Sequence, residues 1–251
     1  MLFPAVKFQL ELMDECRSSQ ELLLWKRGEP GFHGAAVLAR KQTAGYGRRG
    51  REWSTGEGNL ALSFGLEIPG HQHLGLLPFV VGIALHRVAA RILPEAADLR
   101  LKWPNDLYLG GKKLSGLISQ VRQYAEGAEV VVGVGLNLRN APEGMPATAL
   151  AEFVTAPSPE EFAALFLAEL EQIFTSEAAD FPWVRRHWES LARLSENLLY
   201  VVGEGLGVTP LALLETGELL VREKDGRERK LSSEDVSLRF QPDASSTAPS
   251  L

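Results

Sequence analysis

The run KQTAGYGRRGREW, residues 41–53, sets Arg48, Arg49 and Arg51 among three glycines, Gly45, Gly47 and Gly50, and closes on Trp53. Guanidinium groups offer forked donors that match phosphate and carboxylate oxygens, and glycines let backbone N–H groups close around the same anion. An arginine-rich stretch can equally be a solvated surface, so the glycines carry the distinction. The chemistry this predicts is an anion held beneath a lid.

A second candidate is LKWPNDLYLGGKKLSGLI at residues 101–118. Pro104 interrupts a strand-like run and leaves Asn105 and Asp106 at the break, where their side chains either form a turn or face a site. Lys112 and Lys113 follow a Gly-Gly turn. They are a solvated hairpin tip, or one of them points inward at a phosphate while its neighbour points out, because strand side chains alternate faces. VVVGVGLNL, residues 130–138, lacks the third glycine and the following helix of a dinucleotide fingerprint, and no Walker A pattern exists in the chain. Gly133 and Gly135 therefore read as places where another backbone or a ligand comes close.

The elements that must position these residues follow from pattern. A helix is predicted over residues 18–26, with Leu22, Leu23 and Trp25 on its apolar side. GAAVLAR and NLALSFGL are strands on either side of the arginine loop, which places the loop between neighbours in a sheet. Residues 74–93 are the longest apolar stretch, but His86, Arg87 and Arg91 within it indicate a buried amphipathic helix rather than a membrane span. LRLKW, DLYLGGKKL, SGLISQVR and EVVVGVGL are four strand-like runs. Ser158 caps a helix that opens with Pro159, Glu160 and Glu161, and a further helix covers residues 183–194. From Asn197 the pattern changes to short strands, with Asp225-Gly226 as a hairpin turn. The fold class is α+β, a mixed sheet with helices followed by a small barrel. The predicted division is 1–196 for the main domain, 197–241 for the barrel and 242–251 for a disordered tail.

A net charge of −6 over 251 residues opposes a protein whose whole surface binds nucleic acid or anionic lipid. Cys16, the single cysteine, excludes an internal disulfide and reads as a small buried hydrophobe in a reducing compartment. No signal peptide opens the chain, and a cytoplasmic protein is expected.

KQTAGYGRRGREW, the KWPND at residues 102–106, the KKLSG at 112–116, the GVGLN at 133–137 and the terminal GEGLGVTPLALLETGELLV with DVSLRF resemble, in order and spacing, the biotin protein ligases. The resemblance covers nearly the whole chain. It implies a catalytic domain similar to class II aminoacyl-tRNA synthetases and an SH3-like barrel. It also implies an activity: ATP and biotin form biotinyl-5′-adenylate, and the biotin passes to a lysine of the biotin carboxyl carrier protein of acetyl-CoA carboxylase or a similar carboxylase.

By the same resemblance Lys113 contacts both the biotin carboxylate and the α-phosphate, while Arg48 and Arg51 clamp phosphates and fold the lid down. Ser18, Ser19, Gln20, Gln42, Gly45, Tyr46, Gly47, Lys113 and Gly116 are implied to hold biotin. Arg48, Arg49, Arg51, Trp53, Lys102, Asn105, Asp106 and Asn137 are implied to hold ATP, with Asp106 nearest the accompanying Mg²⁺. Two positions depart from the family. Ser18-Ser19-Gln20 stands where Ser-Thr-Asn is usual, and CRSSQEL also aligns one residue later; Tyr46 replaces an arginine. Only 17 residues precede Ser18, so no DNA-binding domain and no repressor activity are expected, and either a monomer or a homodimer is compatible. A lipoate ligase lacks the KWPND run, and a nucleic-acid-binding module conflicts with the net acidity.

Overall fold

Along the strand β7 (Gly127–Leu136) the side chains alternate between two environments. Ala128, Val130, Val132, Val134 and Leu136 enter the main hydrophobic core, whereas Val131 joins a smaller cluster and Gly133 and Gly135 have no side chain to bury. That alternation organises the whole main sheet, because a strand shows successive residues to opposite faces. The structure, a computed structural model, describes residues 2–175, 180–196, 199–202, 204–233 and 237–240.

Seven strands make the main sheet: β1 (Gln9–Cys16), β2 (Ala35–Gln42), β3 (Leu60–Pro69), β4 (Leu99–Lys102), β5 (Asp106–Leu109), β6 (Lys112–Tyr124) and β7. Their spatial order is β1-β2-β3-β7-β6-β5-β4, with β1 parallel to β2 and every other neighbour antiparallel. The expected mixed sheet is thus observed. β1 was not foreseen: Leu10 and Leu12 alternate with Gln9 and Glu11, but the alternation breaks at Met13 and most of the strand is exposed. The expected division between KKL and SGLISQVR is absent: Gly110 and Gly111, at φ 57° and 75°, make the turn, and β6 runs on without interruption from Lys112.

One face of this sheet is covered by α2 (Leu77–Ile92), α3 (Pro159–Thr175) and α4 (Phe181–Leu191). Residues 74–92 are long and apolar enough by composition to cross a membrane, yet 67% of that segment is buried in this core. The start of α3 is a capping box: Glu161 N–H donates to Ser158 Oγ at 3.1 Å and Ser158 N–H to Glu161 Oε2 at 2.8 Å.

The opposite face carries α1 (Ser19–Trp25), whose Leu23 packs on Phe32, Val37 and Val131. Trp25, expected beside Leu23, is 83% exposed. Two residues along a helix is a rotation of about 200°, so Trp25 lies on the side away from Leu23. Cys16 is half-buried at the end of β1 rather than fully enclosed, and what burial it has pushes its thiol pKa up.

After α4 the chain builds a second, antiparallel sheet from β8 (Leu199–Val202), β9 (Leu206–Leu213), β10 (Leu219–Glu223), β11 (Glu228–Leu231) and β12 (Ser237–Phe240), ordered β11-β10-β9-β8-β12. This is the expected SH3-like element, with Gly226 at φ 88° in the hairpin turn read from the sequence. The expected tail, 242–251, lies outside the described residues. The small sheet is tied to the rest of the chain through the turn after β4 and through α4: Trp103 Nε1 donates to Gly217 O at 3.1 Å, and Leu213 N–H donates to Glu189 Oε1 of α4 at 2.8 Å. At Gly75 the contact is so close that a Cβ would stand 2.3 Å from Thr216 O.

Candidate functional site

The strand register lines up one residue from each of five strands: Lys102 on β4, Asp106 on β5, Gly116 on β6, Gly135 on β7 and Ala61 on β3. Residues paired across strands share a face, so the row is cationic and anionic at one end and nearly bare in the middle. Lys102 is buried, with its Nζ 3.0 Å from the Tyr108 hydroxyl and 4.7 Å from the centre of that ring.

Lys113 reaches the same face through an irregularity. Leu107 pairs with Ser115 and Tyr108 with Lys113, so Leu114 is an extra residue in β6. Without that bulge, Lys113 would share the face of Ser115 and Leu117, toward the core; with it, Leu114 takes the core position and Lys113 turns over. Its Nζ lies 2.7 Å from Asp106 Oδ1 and 5.9 Å from the centre of the Trp53 ring. Lys112 is exposed. Residues 146–148 brace the bulge, since Lys113 N–H donates to Pro146 O at 3.0 Å and Thr148 N–H to Lys113 O at 2.9 Å.

The glycines of this face are occupied by other residues' side chains. A Cβ on Gly135 would stand 2.2 Å from Trp53 Cε2, and one on Gly116 would stand 3.1 Å from Lys113 Nζ and 3.4 Å from Trp53 Cζ3. A Cβ on Gly133 would stand 2.7 Å from Gln20 Oε1. Gly133 and Gly135 are close-approach positions, but what approaches is a side chain rather than another backbone or a ligand: the carboxamide of Gln20 at Gly133 and the indole of Trp53 at Gly135.

The arginine loop leaves β2 and returns to β3, as its flanking strands required. It is a narrow hairpin: Trp53 N–H donates to Gly45 O at 2.9 Å, and Gly47 N–H donates to Arg51 O at 2.7 Å. Gly45 has a packing reason to be glycine, since its Cβ would fall 2.5 Å from Trp53 O. Of the three arginines, Arg48 comes inward. It donates to Asn105 Oδ1 at 3.1 Å and to the backbone carbonyl of Ser233 in the small sheet's half of the chain. Arg49 and Arg51 sit on the exposed rim, Arg49 at φ 59°. Asn105 is held in turn by its amide donating to Leu117 O.

A second group assembles at the start of α1. The Ser18 hydroxyl caps the helix, accepting from Glu21 N–H at 3.4 Å. Ser19 Oγ is 2.8 Å from Ser63 Oγ, and Ser19 N–H donates to Gln42 Oε1 at 2.8 Å, while Gln42 Nε2 donates to Thr55 Oγ1 at 3.0 Å. Gln20 Nε2 donates to Val131 O at 3.0 Å and to Gln120 Oε1 at 3.1 Å. Tyr46 meets the same atom of Gln120 at 2.9 Å. Burial pushes the Tyr46 hydroxyl's pKa up, which keeps it protonated and a donor.

Asn137 is placed differently from the others. It is buried, its Nδ2 donates to Thr148 O at 3.0 Å, and its backbone links Leu114 to Leu150, so it braces the loop behind Lys113. Ser63, Thr55 and Gln120 were missed in the sequence. The available signal was polarity out of phase: Ser63 interrupts an apolar strand run, and Gln120 falls two residues beyond Ile118 on the face of Gly116. Among the described residues no group of three or more His, Cys, Asp and Glu side chains stands ready for a metal ion. Among the described residues the carboxylate paired with Lys113 is that of Asp106, which suits a cation that takes most of its ligands from phosphate and water.

Residues 18–137 match the model of the Biotin/lipoate A/B protein ligase family. Over 214 residues the chain is 34% identical to the biotin–[acetyl-CoA-carboxylase] ligase of Paracoccus denitrificans, covering 79% of this chain and 89% of that protein. It is 38% identical over 125 residues to a bifunctional ligase/repressor of Escherichia coli, which is 48% of this chain and 38% of that one. The fold superposes on a biotin protein ligase from Aquifex aeolicus in complex with biotin and ATP with a TM-score of 0.77, at 28% identity, over 93% of this chain and 99% of that one.

Proposed function

Because this chain belongs to the biotin/lipoate A/B protein ligase family, we propose that its site activates biotin with ATP and transfers it to a lysine of a biotin carboxyl carrier protein. That it is a ligase follows from the family and its relatives. The observation that carries the choice of site is the inverted Lys113, set between Asp106 and Trp53 over a floor of glycines.

The first step makes a bond between a carboxylate oxygen of biotin and the α-phosphorus of ATP, and breaks the bond to the β-phosphate oxygen, which leaves with its electron pair as pyrophosphate. Two anions must approach, so positive charge fixed beforehand lowers the barrier. Lys113 supplies it at the centre of the site, with Asp106 holding the ammonium in place, and Arg48 supplies it from the lid. Magnesium bound to the triphosphate would further screen its charge, with Asp106 as the protein ligand. Lys102 and Asn105 line the phosphate side, and Arg49 and Arg51 stand at the rim where a closing lid brings them onto phosphate. Trp53, on the bare face of Gly116 and Gly135, offers a flat surface for adenine, and Asn137 holds the wall behind it.

Biotin's ureido head needs a few donors and acceptors within an apolar wall. Ser19, Gln20 and Gln42, gathered on Ser63 and Gly133, supply them, with Gly45, Tyr46 and Gly47 of the lid above and Gly116 below. Ser18 acts by capping the helix that presents this group. In the second step the neutral amine of the carrier's lysine attacks the biotinyl carbonyl, the mixed anhydride breaks, and AMP leaves. The lid keeps water from the anhydride meanwhile.

Supporting the division of the chain at 196/197 is the change from mixed to antiparallel sheet after α4. The acceptor is read from the name of the Paracoccus relative, and the repressor activity of the Escherichia coli relative is not carried over. The test is pyrophosphate release from ATP by the purified protein with biotin, with lipoate and with neither. Release with biotin alone is the expected result; release with lipoate instead, or with neither acid, removes the biotin reading.

A further inference from the structure

The hydrogen bonds around Gln20 run in a fixed direction. Val131 O can only accept, so the Gln20 atom 3.0 Å from it must be the nitrogen. That same nitrogen lies 3.1 Å from Gln120, which must therefore present its oxygen, and a carboxamide oxygen at 2.9 Å obliges the Tyr46 hydroxyl to donate. The chain leaves one atom over. Gln20 Oε1 is buried without a partner, in a residue 3% exposed, and it rests on Gly133. A buried acceptor with no donor is uncommon in native proteins and calls for an explanation.

We infer that Gln120, on β6, is a positioning residue of this site: it turns the Gln20 carboxamide oxygen toward the glycine floor and latches the lid through the Tyr46 hydroxyl. The inference deepens the biotin-ligase reading and rests on it for the ligand's identity. The group that satisfies Gln20 Oε1 is a ureido N–H, a donor on the edge of a flat ring. Gln120 is itself held from outside by Arg27, whose guanidinium donates to the Gln120 backbone carbonyl. One oxygen thus serves both the residue that reads the head and the residue that holds the lid, so release of the lid and loss of the reader are coupled at a single side chain. Tyr46, the departure from the family's arginine, supplies this latch as a neutral donor.

The experiment uses the full chain and three variants: Gln120→Met, close in length but without an acceptor; Gln120→Glu, whose carboxylate accepts from the same two donors; and Tyr46→Phe. The readouts are hydrogen exchange of the Gln20 side-chain amide by NMR, KM for biotin against kcat in pyrophosphate release, and the rate at which preformed biotinyl-5′-adenylate leaves. Gln120→Met should exchange the Gln20 amide fast, raise the biotin KM roughly tenfold with a smaller effect on kcat, and release adenylate roughly tenfold faster, as expected for losing one hydrogen bond at each of two partners. Gln120→Glu should recover most of each effect. Tyr46→Phe should speed adenylate release while the Gln20 amide stays protected. Continued protection of that amide in Gln120→Met, or a Gln120→Glu as impaired as Gln120→Met, overturns the proposal. If the unaltered protein releases no pyrophosphate with biotin, the functional reading fails separately, and the exchange measurement still decides whether Gln120 holds Gln20.

Discussion

The two faces of the main sheet are made by the same strands and differ residue by residue. On β3, Leu60, Leu62, Phe64 and Leu66 fill the core beneath α2 and α3, while Ala61, Ser63 and Gly65 alternate with them on the other side. On β7 the contrast is Val130, Val132 and Val134 against Val131, Gly133 and Gly135. One face buries large apolar side chains in the core, and the other is floored with small residues that Trp53, Gln20 and Phe32 approach closely. Period-2 alternation thus encodes stability on one side and the proposed binding surface on the other, and neighbouring residues should report on different properties when changed.

The largest effect is expected at Lys113, the residue moved from one face to the other. Lys113→Ala should slow pyrophosphate release roughly 100- to 1000-fold, the scale of losing one charge-stabilising donor in a transition state, while biotin still binds. Normal turnover in that variant would detach the bulge from the chemistry. Next is Gly135→Ala, which places a Cβ 2.2 Å from Trp53 Cε2. Overpacking of about 1–3 kcal/mol should appear as ATP affinity weakened roughly ten- to hundredfold. Unchanged ATP binding, by calorimetry, would show that Trp53 does not need the bare floor.

Arg48→Gly cuts the lid's ties to Asn105 and Ser233, so adenylate should escape roughly tenfold faster and biotinylate bystander proteins. Strict retention of specificity for the carrier would sink the lid assignment. The adjacent pair Leu62 and Ser63 tests the two faces directly. Leu62→Ala should cost about 2–5 kcal/mol of stability in denaturant unfolding. Ser63→Ala should cost about 1 kcal/mol or less but raise the biotin KM several-fold, by taking a partner from Ser19. Equal destabilisation by both would blur the distinction between the faces.

The smallest effect is that of pH on the packed face. His86 of α2 is buried, its Nε2 3.3 Å from Leu99 O, and burial holds its pKa below the usual 6.5, with Arg193 and Arg87 adding to the depression. Above pH 6.5 both folded and unfolded states are neutral and the contribution is complete. Below it the unfolded chain takes up the proton first, so stability falls toward the folded pKa by at most about 1.4 kcal/mol per pH unit. Melting temperatures between pH 5 and 8 should show this slope, and His86→Gln should flatten it.

Much of this was legible because the signals were local. The capping box at Ser158, the Gly-Gly and Asp-Gly turns, the apolar period of α2 and the loop held between two strands each follow from the conformational preferences of a few consecutive residues. So did the placing of the arginine loop between β2 and β3, since a strand-like run flanks it on each side. The edge strand β1 escaped notice because its alternation of Phe8, Leu10 and Leu12 with Gln9 and Glu11 is short and breaks at Met13, and Trp25 was misplaced because a helix of seven residues is too short for its period to be read securely.

By itself the sequence determined which residue types were available: a lysine pair after a turn, two glycines spaced by one, a carboxamide at the start of a helix. Which of those lysines faces the site was decided by tertiary structure, because the extra residue in β6 exists only in the pairing of β6 with β5, and a one-residue shift inverts every side chain before it. What the glycines admit was decided the same way. An indole from the lid and a carboxamide from α1 arrive there from other parts of the chain, and no spacing along β7 can state what will be laid upon it.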